Sequence, residues 1–149
     1  MQQRELGQAH TPVSAIGYGA MSFSDFYGPT DDAKSFAILD RCMDLGITHL
    51  DTSNVYGLGL SEQRIGAYLK QRGQQARDFF TIATKAGIAS KPDGSRYFNN
   101  SPEHLRKELD GSLQRLGVEQ IELLYVHRRD ASVPIEEVTQ SLAELVKSG

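Results

Sequence analysis

The chain has a single cysteine, Cys42, among its 149 residues. One thiol cannot form an intramolecular disulfide or a thiolate metal cage, and its place in a helical pattern favours a small buried packing residue. An excess of basic residues is missing as well, because 16 scattered basic side chains stand against 19 acidic ones. This balance argues against a surface for nucleic acid or for anionic membranes.

Long apolar runs are also missing. The start of the chain lacks the basic stretch and apolar run of a signal peptide, and no run of about 18 apolar residues is present that could cross a membrane. We therefore expect a cytoplasmic protein. The length, with 39% hydrophobic residues, is typical of one globular domain, here residues 1–149.

What the sequence does contain is an alternation of strand and helix patterns after a short β-hairpin at residues 4–12. The four predicted strands cover residues 13–18, 47–50, 79–84 and 121–126. The four predicted helices follow Asp31, Ser61 (as N-cap), Ser101 and Pro134. This order predicts an α/β fold with a parallel sheet of TIM-barrel type, about four of eight βα units. No Gly-x-Gly-x-x-Gly follows the first strand, so a Rossmann site has little support.

Four residues of complementary chemistry, Asp51, Tyr56, Lys85 and His127, fall at or just past predicted strand ends. Side chains converge on ligands at the C-terminal ends of parallel strands. Reduction of a carbonyl by hydride needs a proton donor, and a phenol, with an ordinary pKa of about 10, becomes a better donor beside a cation. Lys85 would be that cation, Asp51 would hold it as an ammonium, and His127 would orient the carbonyl.

Each of these residues alone also has a simpler interpretation. Asp51 could cap a turn, Tyr56 could pack a loop, Lys85 could be a solvated charge, and His127 could be a satisfied core histidine. Four complementary groups on three neighbouring strand ends are much harder to explain as packing. We therefore expect them to form one site.

The motifs around these residues resemble the N-terminal half of an aldo-keto reductase. The segments that carry the resemblance are residues 17–21, 47–57, 61–62, 82–85, 112–117 and 121–128. The resemblance implies Tyr56 as general acid, Lys85 and Asp51 as its tuning pair, and His127 as the residue that orients the carbonyl. It also implies NADPH, bound across the C-terminal mouth of a TIM barrel, with cofactor contacts at Gly19, Ala20, Met21 and Asp51.

The resemblance extends to the substrate pocket, where Phe23, Phe26 and Tyr27 are similar to the apolar lining of a reductase. These aromatic residues could equally form a small packing cluster. Residues 87–100 either overhang the mouth and shape the pocket or form a surface loop. The expected partner is a small carbonyl compound, and we expect no nucleic acid, membrane or metal. A metal-dependent hydrolase would need clustered ligands, which the four histidines do not supply.

Members of the family run to about twice this length, in line with the roughly 250 residues of a complete barrel. The chain could be a piece of a longer enzyme, a half barrel that pairs through exposed sheet edges and an apolar inner face, or a shortened homologue. We favour the first interpretation. The expected function is then NADPH-dependent reduction of an aldehyde or ketone. The alternative is a noncatalytic binding or regulatory half barrel that keeps the four residues as inherited sequence.

Overall fold

A computed structural model describes residues 1–91 and 93–149. The strands are β1 (Gln3–Leu6), β2 (Thr11–Ser14), β3 (Tyr18–Gly19), β4 (His49–Asp51), β5 (Thr81–Ala86), β6 (Ile88–Ser90), β7 (Arg96–Phe98) and β8 (Leu123–Val126). The helices are α1 (Asp32–Leu45), α2 (Leu60–Arg72), α3 (Gln74–Phe79), α4 (Pro102–Leu116) and α5 (Ile135–Ser148), with a 3₁₀ helix at Ala20–Ser24. Pro92, in the predicted mouth segment, lies outside the described residues.

Four strands form a parallel sheet in the order β3, β4, β5, β8. Neighbours in this sheet are also successive along the chain, so each connection crosses back through helix, as parallel pairing requires. The antiparallel pair β1 and β2 precedes the sheet, and β6 and β7 form a second antiparallel pair after β5. The predicted α/β fold, a hairpin followed by parallel βα units, is confirmed.

The larger core lies between the sheet and its helices. Leu50 and Ile82 pair in register and are buried with Leu39 of α1, Ile65 of α2 and Leu116 of α4. Since successive strand residues face opposite sides, the intervening positions form the inner face of the sheet. Those positions include His49, Asp51, Thr81, Ala83, Lys85, Leu123 and Tyr125. The inner face, which was expected to be apolar, is mixed: His49, Asp51, Thr81 and Lys85 are polar, whereas Ala83, Leu123 and Tyr125 are apolar or aromatic.

Three helices begin and end as their local signals predict. The Asp31 carboxylate accepts a hydrogen bond from the Lys34 N–H, and Gly46 ends α1 with a φ of 71°. Ser101 caps α4 through the His104 N–H, and α5 begins directly after Pro134. Side-chain oxygen at the N-cap and a left-handed residue after the last turn satisfy backbone groups that the helix leaves free.

Other boundaries differ from the prediction because tertiary contacts decide them. The hydroxyl of Ser61 does not cap α2; it donates to the Ala20 carbonyl at 2.8 Å and lies 2.8 Å from the Thr52 hydroxyl. Residues 13–18 do not form one strand, since the first two belong to β2. Strand β5 begins two residues later than predicted, because a short helix, α3, occupies residues 74–79.

Two close contacts join α2 to its neighbours. The Glu62 carboxylate is fully buried and accepts hydrogen bonds from the Thr84 hydroxyl of β5 at 2.5 Å and from Arg115 Nε of α4 at 2.6 Å. One turn further on, a Cβ on Gly66 would lie 2.3 Å from the Arg115 carbonyl oxygen. Only glycine lets the two helices approach this closely.

Candidate active site

The four predicted catalytic residues lie at one end of the parallel sheet. Asp51 is the last residue of β4, Lys85 is the penultimate residue of β5, and His127 directly follows β8. Tyr56 lies in the loop after β4, and its hydroxyl is 3.2 Å from Lys85 Nζ. Parallel strands bring these C-terminal ends to one edge, so residues up to 76 positions apart become neighbours.

Lys85 is the centre of this group. Its ammonium donates to Asp51 Oδ1 at 2.5 Å, to the Thr52 carbonyl at 2.7 Å and to the Tyr56 hydroxyl at 3.2 Å. An ammonium has three hydrogens, and three acceptors are present for them. The lysine side chain is only 14% exposed, and its contacts aim one hydrogen at the phenol oxygen.

His127 lies beside the phenol, with its ring edge-on to the Tyr56 ring at a centroid distance of 5.8 Å. Its Nδ1 is 3.0 Å from the buried hydroxyl of Ser53. Partial burial, followed by the positive charge of Lys85, holds the pKa of His127 below its ordinary value. The imidazole is therefore mostly neutral near pH 7, so one ring nitrogen donates and the other accepts.

Ser53 and Asn54 are site residues for which the sequence analysis assigned no role. Both are buried, and the Asn54 side-chain amide donates to Glu108 Oε2 of α4 at 2.6 Å. The Thr52 N–H donates to the Ala83 carbonyl at 2.8 Å, which continues the β4–β5 pairing past Asp51. The signal in the sequence was a run of small polar residues after a strand-end aspartate, a pattern that also fits an ordinary turn.

A cavity of about 660 Å³ opens over Tyr56 and His127. Three segments supply the rest of its wall. Met21 and Phe26 follow β3, Arg96 and Phe98 belong to β7, and Arg128 follows His127. Ile88, Arg96 and Phe98 thus bring parts of this segment to the mouth of the site, as one of the two interpretations of residues 87–100 predicted.

The three aromatic residues predicted to line the pocket lie in different environments. Phe26 lines the cavity. Tyr27 is 73% exposed and packs edge-on against Phe26 without reaching the cavity wall. Phe23 is fully buried against Tyr18, with ring centroids 5.4 Å apart, so it belongs to the packing cluster instead. The 3₁₀ helix explains this placement, because its period of three puts Phe23 on the same side as the buried Ala20.

The residues predicted to contact the cofactor divide in a similar way. Gly19 pairs in register with Asp51 at the sheet end, and nothing lies within 4 Å of the place where a Cβ would stand. Met21 lines the cavity. The Ala20 side chain is buried in the core, and its carbonyl accepts the Ser61 hydroxyl. Gly19, Met21 and Asp51 therefore lie at the mouth, whereas Ala20 holds the segment in place.

One buried amide connects the two segments that border the far side of the mouth. Asn100 is fully buried; its Nδ2 donates to the Arg128 carbonyl at 3.0 Å and its Oδ1 accepts from the Asp130 N–H at 2.5 Å. Gly87 lies directly against it, since a Cβ there would stand 2.6 Å from Asn100 Nδ2. The loops after β5 and β8 are thus joined next to His127.

The described residues contain neither a membrane-spanning helix nor a cluster of metal ligands. No helix in residues 1–91 or 93–149 is long and apolar enough to cross a membrane. In the same ranges no three histidine, cysteine, aspartate or glutamate side chains cluster closely enough to hold a metal ion.

Residues 15–149 match the family model described as the aldo/keto reductase family. Aldo-keto reductase yakc, NADP(+), from Schizosaccharomyces pombe is 40% identical over 147 residues, which is 98% of this chain and 42% of that protein. Aldo-keto reductase str7 from Strobilurus tenacellus is 40% identical over 152 residues, again 98% of this chain and 42% of the relative. The chain thus spans less than half the length of these curated relatives.

A solved structure shows the same relationship. The holo form of an aldo-keto reductase from Bacillus halodurans superimposes with a TM-score of 0.85 at 33% sequence identity. The match covers 100% of this chain and 47% of that one. The parallel sheet and helices described above therefore correspond to about half of a reductase TIM barrel.

Proposed function

Because the chain belongs to the aldo/keto reductase family, we propose that the complete protein reduces an aldehyde or ketone to an alcohol with NADPH and that Tyr56 donates the proton. The observation that carries this proposal is the contact of Lys85 Nζ with both Asp51 and the Tyr56 hydroxyl. A phenol beside an ammonium is a suitable acid for an oxygen that becomes an alkoxide. The name of the yeast relative includes NADP(+), which supports the choice of cofactor.

The residues at the mouth fit a nicotinamide cofactor. When bound, NADPH supplies the hydride that reduces the carbonyl carbon. Gly19 has no atoms within 4 Å above its Cα on the side where a Cβ would stand, so a flat ring can approach the backbone there. Gly19, Met21 and Asp51 are the residues of this chain that would hold it.

The proton steps belong to Tyr56, Lys85 and Asp51. Tyr56 lines the cavity, and its hydroxyl gives its proton to the substrate oxygen as negative charge develops there. The phenolate left behind accepts a hydrogen bond from the Lys85 ammonium, which stabilises its charge. Asp51 keeps the ammonium in place through its contact of 2.5 Å.

His127 orients the carbonyl. A carbonyl oxygen only accepts hydrogen bonds, so the imidazole nitrogen that faces it must carry a hydrogen. In a neutral ring Nδ1 then has a free lone pair, and the Ser53 hydroxyl at 3.0 Å is placed to donate to it. Two donors, Tyr56 and His127, then meet the substrate oxygen from different sides.

The decisive test is Tyr56→Phe in the complete protein. Loss of the phenol proton should lower kcat for aldehyde reduction about a hundredfold or more, while fluorescence titration shows nearly unchanged NADPH affinity. Tyr97→Phe is the matched control, because Tyr97 is an exposed residue of β7 that does not line the cavity. Reduction at the wild-type rate by Tyr56→Phe would contradict the proton-donor role.

A protein that binds NADPH but reduces no carbonyl compound would instead support the noncatalytic alternative. To separate these outcomes, aldehyde reduction and NADPH binding should be measured on the same preparations. Loss of both in Tyr56→Phe would point to misfolding, which circular dichroism of the variant checks.

A further inference from the structure

The wall of the cavity carries positive charge without negative charge. Arg96 and Arg128 line it together with apolar and neutral side chains, and no aspartate or glutamate among the described residues does so. Neither arginine is within 4 Å of a carboxylate in residues 1–91 or 93–149, although six other cations of the chain are. Two guanidinium groups beside a reaction site therefore lack a counter-ion.

The positions of the two arginines follow from the backbone. Arg96 begins β7 and pairs in register with Ser90. Arg128 follows His127, and its carbonyl is bound by the buried Asn100. The Arg128 guanidinium also donates to the His127 carbonyl at 3.0 Å, which keeps it beside the catalytic residues. Two separate segments, joined by Asn100, thus bring both charges to one rim.

The charges act at the site itself. After burial and Lys85, the positive charge of Arg128 is the next cause that lowers the pKa of His127, and Arg96 contributes in the same direction. Asp51 is the one group that opposes them. A cavity rim with unpaired guanidinium groups attracts anions and binds carboxylates in a bidentate way.

We propose that the preferred substrates are aldehydes or ketones that carry a carboxylate, which Arg96 and Arg128 bind while the carbonyl oxygen meets Tyr56 and His127. This inference rests on the reductase function proposed above. The apolar wall formed by Phe26, Ile88 and Phe98 suits the carbon skeleton between the two polar ends of such a substrate.

The test compares two aldehydes with the same aromatic ring, 4-carboxybenzaldehyde, which is an anion, and its neutral methyl ester. In the complete protein with NADPH, kcat/KM for the acid should exceed that for the ester about tenfold or more, since a charge-assisted hydrogen bond is at stake. Arg96→Gln and Arg128→Gln should each lower this ratio several-fold, mainly through KM for the acid. The double variant should bring this ratio close to one, because kcat/KM for the acid falls much further than kcat/KM for the ester.

Arg129→Gln is the matched control. Arg129 is an exposed neighbour that does not line the cavity, so its loss should leave the ratio as in the wild type. An unchanged ratio in the double variant would overturn the inference. So would a loss of NADPH affinity in the double variant at an unchanged ratio, because the guanidinium groups would then serve the phosphates of the cofactor.

A second measurement does not depend on turnover. Calorimetric titration with 4-(hydroxymethyl)benzoate and with its methyl ester, both in the presence of NADP⁺, should show tighter binding of the anion, and Arg96→Gln and Arg128→Gln should remove that difference. If neither aldehyde is reduced but the anion still binds more tightly, the reductase proposal fails and the carboxylate site stands. Equal binding of the two compounds overturns the carboxylate site itself.

Discussion

The imidazole of His127 lies where the protein favours its neutral form. Burial removes water from the imidazolium, and the nearby charges of Lys85 and Arg128 repel it, so its pKa is lowered. In the unfolded chain the ordinary pKa of about 6.5 returns, and the unfolded state therefore binds a proton at higher pH than the folded state. The stability that depends on a neutral His127 is complete above the unfolded-state pKa of about 6.5. It is lost as the pH falls from there through the lower pKa of the folded state.

We therefore expect the stability difference between the wild type and His127→Gln to depend on pH. The free energy of unfolding of the wild type should fall relative to that of the variant between pH 8 and pH 5, because only the wild type must keep this ring neutral. Urea denaturation of both proteins at four pH values measures the difference. A difference that stays constant would show that the ring titrates alike in the folded and unfolded states.

The sequence predicted the positions of the proposed catalytic residues better than those of their neighbours. Asp51, Lys85 and His127 could be placed because strand ends follow from local apolar patterns and parallel strands align them. The contact of Ser53 with His127 joins residues 74 positions apart, and no local pattern encodes it. The burial of Phe23 depends on a 3₁₀ turn that the apolar pattern does not mark.

Among the elements, α2 and α4 form the closest helix pair. Gly66 faces the Arg115 and Leu116 carbonyl oxygens, and the buried Glu62 binds Arg115 one turn before it. Removing Arg115 would leave a buried carboxylate without its counter-ion. Backbone contact and ion pair together hold α4 against the helix that follows the loop of Tyr56.

Gly66→Ala should destabilise the protein even though alanine is the better helix former. The new methyl group would meet backbone oxygens that cannot rotate away, and we expect a loss of about 1–3 kcal/mol in the free energy of unfolding. Gly111→Ala in α4 is the control, because a Cβ there meets only the end of the flexible Arg115 side chain. Its effect should be a small gain or no change, within about 1 kcal/mol. Equal effects of the two substitutions in urea denaturation would contradict the close helix contact.

The sequence predicted elements where caps and periodicity agreed. Helices begin after Asp31 and Ser101 and end at Gly46 and Gly117 as expected, because capping is a local interaction. The helix α3 was missed because six residues are too short to show a helical period. Ser61 was misassigned as a cap because its hydroxyl binds Ala20, 41 residues away.

At the scale of the whole molecule, α4 connects two apolar clusters. Leu116 belongs to the larger cluster, and Leu105 belongs to the smaller one with Leu145 of α5. This shared helix supports our proposal that residues 1–149 form one domain.

Strands β3 and β8 are the outer strands of the sheet in the described part of the chain. Their unpaired edges can pair with another chain.

The 149-residue chain, expressed by itself, should therefore self-associate. A groove of about 370 Å³ lies beside β8, lined by Leu123, Leu142 and Val146, and Val146 is 82% exposed. Sedimentation velocity should show mass that increases with concentration, and Val146→Lys should weaken that association by placing a charge in the groove. Ala143→Lys, an exposed α5 position outside the groove, is the control. A monomer at all concentrations tested would contradict this expectation.

The four parallel strands could be predicted from the alternation of strand and helix patterns, and the sheet follows that prediction. The polarity of the inner face could not be predicted in this way. Thr81 and Tyr125 lie in strands whose apolar pattern is dominated by the residues that face outward. A cytoplasmic location stays a prediction from the sequence.

The buried amide of Asn100 holds the rim of the cavity independently of the residues that are proposed to carry out the reaction. Asp51, Tyr56 and Lys85 are held by the sheet and by one another, whereas Arg96 and Arg128 are carried by segments that Asn100 joins beside Gly87. Under the functions proposed above, substitutions at the rim can thus change the choice of substrate without disturbing the proposed proton donor. A larger side chain at Gly87 or loss of the Asn100 amide would therefore disturb the rim before it disturbs the contacts among Asp51, Tyr56 and Lys85.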